Sequence, residues 1–289
     1  MNNLGLTGLL VLIVLASGCI TGSGADGLDE NIELNVEDID TDETAGEILE
    51  SSFQTAESIE TYQLDSTNKM AFDAFLMGLS ISIDSEGYFD YSEEVSYLEN
   101  SGAFDIGVLG MSTSSDYETI NYVTHNQTQV LTTLEGEQNN LTSKEEGFSE
   151  SYPLNLSIGS LEDLADPDSV ELEGQETVRS TDTYVLSTDP GVEALGKSFG
   201  DVLESYGPGS LADTENDETE DLSEDDSIEK LESYLWIDQE TREPVKHSYH
   251  IVAEIEDEDA SDGYLELFSE TYYTEYGEDQ SYTVSEEFS

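Results

Sequence analysis

The chain has 289 residues, with 68 Asp plus Glu against 7 Lys plus Arg, for a formal net charge of -61. The seven cations (Lys69, Lys144, Arg179, Lys197, Lys230, Arg242 and Lys246) are scattered, so no basic patch exists and nucleic acid is excluded as a partner. Such acidity often marks disorder, yet 16 Tyr, 9 Phe and clean two-residue alternation can build a core, which predicts a folded domain under an acidic surface.

Residues 9–15 form an uncharged apolar run, and Ala16-Ser17-Gly18-Cys19 follows it. The run has the length of a signal-peptide hydrophobic region and is too short for a span of ~20 residues. Small residues leading to the chain's single cysteine resemble a lipobox, where a lipoprotein precursor is cut and the new N-terminal Cys is acylated. The expectation is a signal peptide over 1–18 and lipid attachment at Cys19. The alternative is a short membrane-anchor helix with an incidental cysteine, since no Lys or Arg precedes the run. Two acyl chains hold a protein stably on a membrane where one does not. The domain is therefore expected on the outer face of the cytoplasmic membrane, tied to it through Cys19. A lone cysteine leaves no intramolecular disulfide.

Residues 19–43 are Gly-, Asp- and Glu-rich with little periodicity and read as a flexible acidic tether. Thr44-x-x-Glu47 is a capping-box pattern. Ala45, Ile48, Leu49, Phe53 and Ala56 then share one helical face, which predicts a helix of about four turns ending near Ser58. From Thr61 the period becomes two. Leu79, Ile81 and Ile83 alternate with Ser80, Ser82 and Asp84, and similar alternation recurs at Tyr62/Leu64, Ile120/Tyr122, Tyr184/Leu186 and Val245 to Ile251. Met77-Gly78, Glu86-Gly87, His125-Asn126-Gln127 and Glu135-Gly136 read as turns between strands, so an antiparallel meander is expected. Two further helical pieces are expected at 160–164 and from Asp189-Pro190 to Tyr206. Residues 213–230 are too acidic to enter a core and read as a solvated loop.

The segment Tyr234-Leu235-Trp236-Ile237-Asp238-Gln239-Glu240-Thr241-Arg242-Glu243-Pro244-Val245-Lys246 reads as strand, tight turn, strand on turn chemistry alone. Together with an anchored cysteine, a tether, one amphipathic helix and a long run of strands, it resembles the LolA/LppX-like lipoproteins. The resemblance covers roughly 44–289 in order of elements. It implies an α+β fold, a curved antiparallel sheet forming a half-open β-barrel with helices over its concave face. It also implies a cavity for acyl chains or lipid-modified partners and brings no catalytic residues.

The greasiest stretch of the mature chain is Met70, Phe72, Phe75, Leu76, Met77, Leu79, Ile81 and Ile83. Met70, Phe72, Phe75, Leu79, Ile81, Ile83 and Trp236 are the candidate lining of an apolar ligand site; a filled core is the competing account. No metal site is expected. His247-x-x-His250 falls on a strand, where that spacing sends the rings to opposite faces. Asp38-x-Asp40-x-Asp42 and Asp213-x-Glu215-x-Asp217 lack the glycine of a calcium loop. No G-x-S-x-G elbow or Gly-rich phosphate loop is present, so neither enzyme activity nor a cofactor is expected. Asn126, Asn140 and Asn155 head N-glycosylation sequons. Self-repulsion at this charge competes with a folding stability of about 5–15 kcal/mol. Molar monovalent salt is therefore expected to be needed for folding, as in proteins of extreme halophiles. Two functions remain open: carriage of a lipid or other apolar ligand, and a non-catalytic structural or adhesion role at the cell envelope.

Overall fold

The computed structural model describes residues 28, 30–74, 77–108, 111–125, 127–134, 137–144, 169–188, 227–255 and 263–277. Among the described residues, one helix, α1 (Ala45–Ala56), precedes eleven strands. These are β1 (Thr61–Ala74), β2 (Met77–Asp90), β3 (Val95–Val108), β4 (Met111–Thr124), β5 (Gln127–Leu134) and β6 (Glu137–Lys144). After them come β7 (Glu171–Val178), β8 (Thr181–Ser187), β9 (Ser227–Asp238), β10 (Pro244–Ile255) and β11 (Gly263–Thr274). The helices expected at 160–164 and 189–206 lie outside the described residues.

Helix α1 starts where its capping box predicts. The Thr44 side chain accepts from the Glu47 amide, and the Glu47 carboxylate accepts from the Thr44 amide at 2.9 Å. Those hydrogen bonds from Thr44, the backbone one foremost, hold the Glu47 carboxyl below its usual range. The helix buries Ile48, Leu49, Phe53 and Ala56 on one side.

The strands form one antiparallel sheet in the order β6-β5-β4-β3-β2-β1-β11-β10-β9-β8-β7. It is therefore two meanders, joined in the middle by pairing of the first strand with the last, with β6 and β7 as its two edges. Neighbouring strands within each meander are consecutive in sequence, so no crossover is needed. The hairpin at 238–243 is the one the sequence predicts: Asp238 Oδ1 accepts from the amides of Glu240 (2.6 Å) and Thr241 (2.8 Å), and the Asp238 amide donates to the Glu243 carbonyl at 2.9 Å.

The sheet is curved. Val123 of β4 and Tyr184 of β8 belong to the same buried cluster as Ile48, Leu49 and Phe53 of α1. Seven strand spacings separate β4 from β8, about 34 Å if flat, and a helix about 10 Å across cannot bridge that distance unless the sheet wraps around it. The face that wraps α1 is called the inner face below.

Two expected turns fall in strand instead, Met77-Gly78 as the first two residues of β2 and Glu86-Gly87 in its interior. Gly78 and Gly87 lie within β2, paired with Asp73 and Leu64 of β1. Gly87 serves a close approach: a Cβ there would come within 2.5 Å of Leu98 Cδ1. The β2–β3 reversal falls at 91–94, and residues 227–230 of the expected acidic loop are the first four of β9.

Candidate functional site

Strand register sorts every side chain to one face. On the inner face, β1 contributes Tyr62, Leu64, Ser66, Asn68, Met70 and Phe72, and their partners on β2 are Phe89, Gly87, Ser85, Ile83, Ile81 and Leu79. Three zones follow along the strands. At one end α1 covers Tyr62, Leu64, Phe89, Leu98, Leu235, Ile237 and Tyr273. Tyr62 stacks on Phe89 there, with ring centroids 5.0 Å apart, and Tyr273 is so deeply desolvated that its hydroxyl titrates above the usual tyrosine range.

In the middle runs a belt of buried polar side chains. Ser66 bonds Thr271 at 2.8 Å, the Asn68 amide donates to Ser66 at 2.9 Å, and the Ser269 hydroxyl donates to Asn68 at 2.8 Å. Ser85 donates to Asn100 at 2.7 Å, and Asn100 donates to Thr119 at 2.9 Å. His247 continues the belt on β10. It is 3% exposed, and desolvation lowers its pKa from the ordinary 6.5 to about 4, so the buried ring is neutral at pH 7.

Beyond the belt lies a second apolar cluster of Met70, Leu79, Ile81, Ile83, Tyr249, Ile251, Leu265 and Leu267, with Phe72, Phe104 and Tyr117 packed against it. No residue of α1 belongs to it. Five candidate lining residues, Met70, Phe72, Leu79, Ile81 and Ile83, thus come together as the alternation predicts. A hollow of about 20 Å³ remains among Met70, Ile81, Ile83, Tyr249 and Leu267, near the size of one water.

The other candidate residues are placed differently. Trp236 is fully buried on the opposite, outer face, paired with Lys246 and Val185 and packed with Val178 and Val245. Its Nε1 donates to Glu176 Oε2 at 2.9 Å, and Lys246 Nζ lies 4.5 Å from the ring centre. It therefore shares no surface with Met70 or Ile81. Phe75, Cys19, Asn126 and Asn155 lie outside the described residues, and Asn140 is on edge strand β6.

The outer face is chemically distinct. An open hollow of about 650 Å³ there is bordered by Asp65, Asp84, Glu86, Glu99, Glu118 and Glu270, with Arg179 as the one cation among its described residues. Arg179 pairs with Asp65 at 2.5 Å and stands 4.1 Å from the Tyr272 ring centre. An apolar ligand has nothing to gain in such a hollow. His250 faces outward, opposite to His247, as the strand parity of the H-x-x-H pair requires. Its Nε2 is 2.6 Å from Glu266 Oε1, its Nδ1 is 3.1 Å from Lys230 Nζ, and Tyr264 donates to Glu266. Desolvation first, then that bond to Glu266, raises the Tyr264 hydroxyl above its usual range. Among the described residues no group of three or more His, Cys, Asp or Glu could hold a metal ion.

Sequence reasoning missed the residues that lie across this outer face. Ile32 and Leu34 pack on the Trp236 cluster. Glu30 pairs with Lys69, the Leu28 amide donates to Glu266 at 2.7 Å, and Arg242 bonds Glu43 at 2.6 Å. The described part of the expected tether is therefore fastened to the sheet. Ile32 and Leu34, two residues apart in an acidic stretch, were the only local signal.

No family model matches the chain, and no curated protein matches it. Among solved structures it is similar to the Mycobacterium tuberculosis lipoprotein LppX, with 12% identity, TM-score 0.36, and coverage of 82% of this chain and 97% of that one. It is also similar to a DUF1329 family protein from Desulfovibrio piger, with 13% identity, TM-score 0.23, and coverage of 83% and 95%. The fold class stands on this chain's own sheet: a curved, unclosed antiparallel half-barrel with a helix on its inner face.

Proposed function

We propose that this is a lipid-anchored, non-enzymatic protein of the outer face of the cytoplasmic membrane that takes an acyl chain or similar apolar ligand against the inner face of its half-barrel. The observation that carries this reading is the second apolar cluster. It lies beyond the reach of α1, it is built around Met70 and aliphatic side chains that can move apart, and it ends at a polar belt. Flexible, polarisable side chains suit a ligand of variable shape. The small hollow requires the cluster to open on binding, at a cost that the buried apolar surface of the ligand offsets at about 25 cal/mol per Å². Anchoring through Cys19 follows from the lipobox-like N-terminus.

The test is extraction of the protein from native membranes at high salt, followed by mass spectrometry of the intact chain and of co-purifying lipid. The reading expects a chain beginning at an acylated Cys19, and an apolar probe whose uptake is abolished by Ile81→Asp. A protein with no bound lipid and no probe uptake would refute carriage. That result would favour the second reading, a structural or adhesion module, which the near-filled state of the cluster supports.

A further inference from the structure

The N-terminal segment leaves the anchor and then does something specific. Leu28 is held by Glu266 on β11 and Glu30 by Lys69 on β1, both on the outer face. Lys230 Nζ lies 3.4 Å from Asn31 Oδ1. Ile32 and Leu34 cross the Trp236 cluster. Glu37 then pairs with Gln175 of edge strand β7, its amide donating at 2.8 Å and its carbonyl accepting at 2.9 Å. Two residues later Ile39 packs with α1 on the inner face. The segment is a strap that passes over the outer face, caps the β7 edge and wraps round it.

Two features are fitted to this path. Gly174 has φ +150°, and a Cβ there would sit 2.5 Å from the Glu37 carbonyl oxygen, so the strap can pass only over glycine. Lys69, Lys230 and Arg242, three of only seven cations in the chain, contact Glu30, Asn31 and Glu43 of this segment. Cations this scarce are placed where the segment must be held.

We infer that the strap is an orienting device that fixes which end of the half-barrel faces the lipid bilayer. This rests on the reading that the chain is anchored at or beside Cys19. Nine peptide units separate Cys19 from Leu28, a reach of at most about 31 Å. Leu28 is clamped beside Ala71 and Glu266, which pair with each other near the β1–β2 end of the sheet. That end carries the second apolar cluster, whose Leu265, Leu79 and Phe72 lie next to it. The end holding α1 and the β2–β3 turn is ten residues, about 34 Å, further away along the strands. A free tether from Cys19 to Thr44 would permit any orientation; one clamped at Leu28 excludes the inverted orientation, in which Leu28 would stand farther from the membrane than the tether can reach. The apolar end then stands next to the membrane, where a lipid occupant would enter and leave, and the opposite end points outward.

The experiment uses the full-length protein in vesicles of neutral phospholipid at molar KCl, with an energy-transfer acceptor on the headgroups. A fluorescent non-natural residue is placed either at Ser112, near the apolar end, or at Glu93 in the β2–β3 turn. Transfer is expected to be several-fold stronger from Ser112. Gly174→Val, and separately Lys69→Glu, which leaves the edge pairing untouched, should each reduce that difference. Equal or reversed transfer from membrane-bound protein would overturn the orientation and leave anchoring intact. A protein that floats free of the vesicles would instead overturn the anchoring reading, and the orientation with it.

Discussion

The imidazole of His250 and the carboxylate of Glu266 lie 2.6 Å apart on neighbouring strands, and each side chain is only 4% exposed. Glu266 also accepts from the Leu28 amide and from Tyr264. One carboxylate thus closes three hydrogen bonds and joins the strap to the sheet. Glu266→Ala removes the acceptor of all three donors and leaves His250 Nε2 unpartnered in a dry site. The expected loss is about 3 kcal/mol by urea unfolding in high salt, with faster amide exchange at Leu28. A loss under about 0.5 kcal/mol would mean that the carboxylate holds nothing.

His247 gives a pH dependence of definite sign. Its folded pKa of about 4 lies below the ordinary 6.5, so the unfolded chain binds more protons between these values. Stability is fully present above pH 6.5 and is lost as pH falls towards 4, by about 2 kcal/mol at pH 5 from this residue. The His247→Gln variant should lose stability less steeply than the parent between pH 7 and 5. Parallel curves would contradict a buried neutral ring.

Salt should act on the whole molecule. With a net charge of -61, screening relieves repulsion more in the compact state than in the unfolded chain. The unfolding midpoint is expected to rise steadily from 0.1 to 3 M KCl. Equal stability at both ends of that range would defeat the expectation of a domain suited to brine.

In the second apolar cluster, Ile83 is 1% exposed and packs at the edge of the small hollow. Ile83→Ala should cost about 2–4 kcal/mol if the cluster cannot collapse. The same variant enlarges the space available to an apolar probe. Calorimetric titration should show tighter probe binding by the less stable protein if the cluster is a ligand surface. Weaker or unchanged binding would place the cluster among ordinary core.

Much of this architecture was legible where local chemistry decides the outcome. Thr44 and Glu47 cap α1, Asp238 and Glu243 bracket the β9–β10 turn, and strand parity sends His247 and His250 to opposite faces. The apolar lining was legible in part, because Leu79, Ile81 and Ile83 alternate with polar neighbours. Trp236 was not, because Tyr234-Leu235-Trp236-Ile237 is apolar at every position and gives no sign of which side faces the helix. Gly87 reads as a turn because sequence cannot distinguish a reversal from a place where Leu98 must come close. The strap was hidden for a different reason. Its partners Lys69, Gln175, Lys230, Arg242 and Glu266 are all distant in sequence, and a stretch rich in Asp and Glu looks the same whether it is docked or free.

The polar belt also governs how the chain threads. In a sheet, slipping one strand by a single residue exchanges its two sides. For β1, β2, β3 or β11 such a slip would carry Asp65, Glu86, Glu99 or Glu270 into the dry interior and turn Ser66, Ser85, Asn100 or Thr271 outwards. Small hydroxyls and amides that satisfy one another tolerate the interior; a lone carboxylate does not. Misaligned pairings are therefore penalised at these four strands, and the abundance of acid that burdens the finished fold also proofreads its assembly.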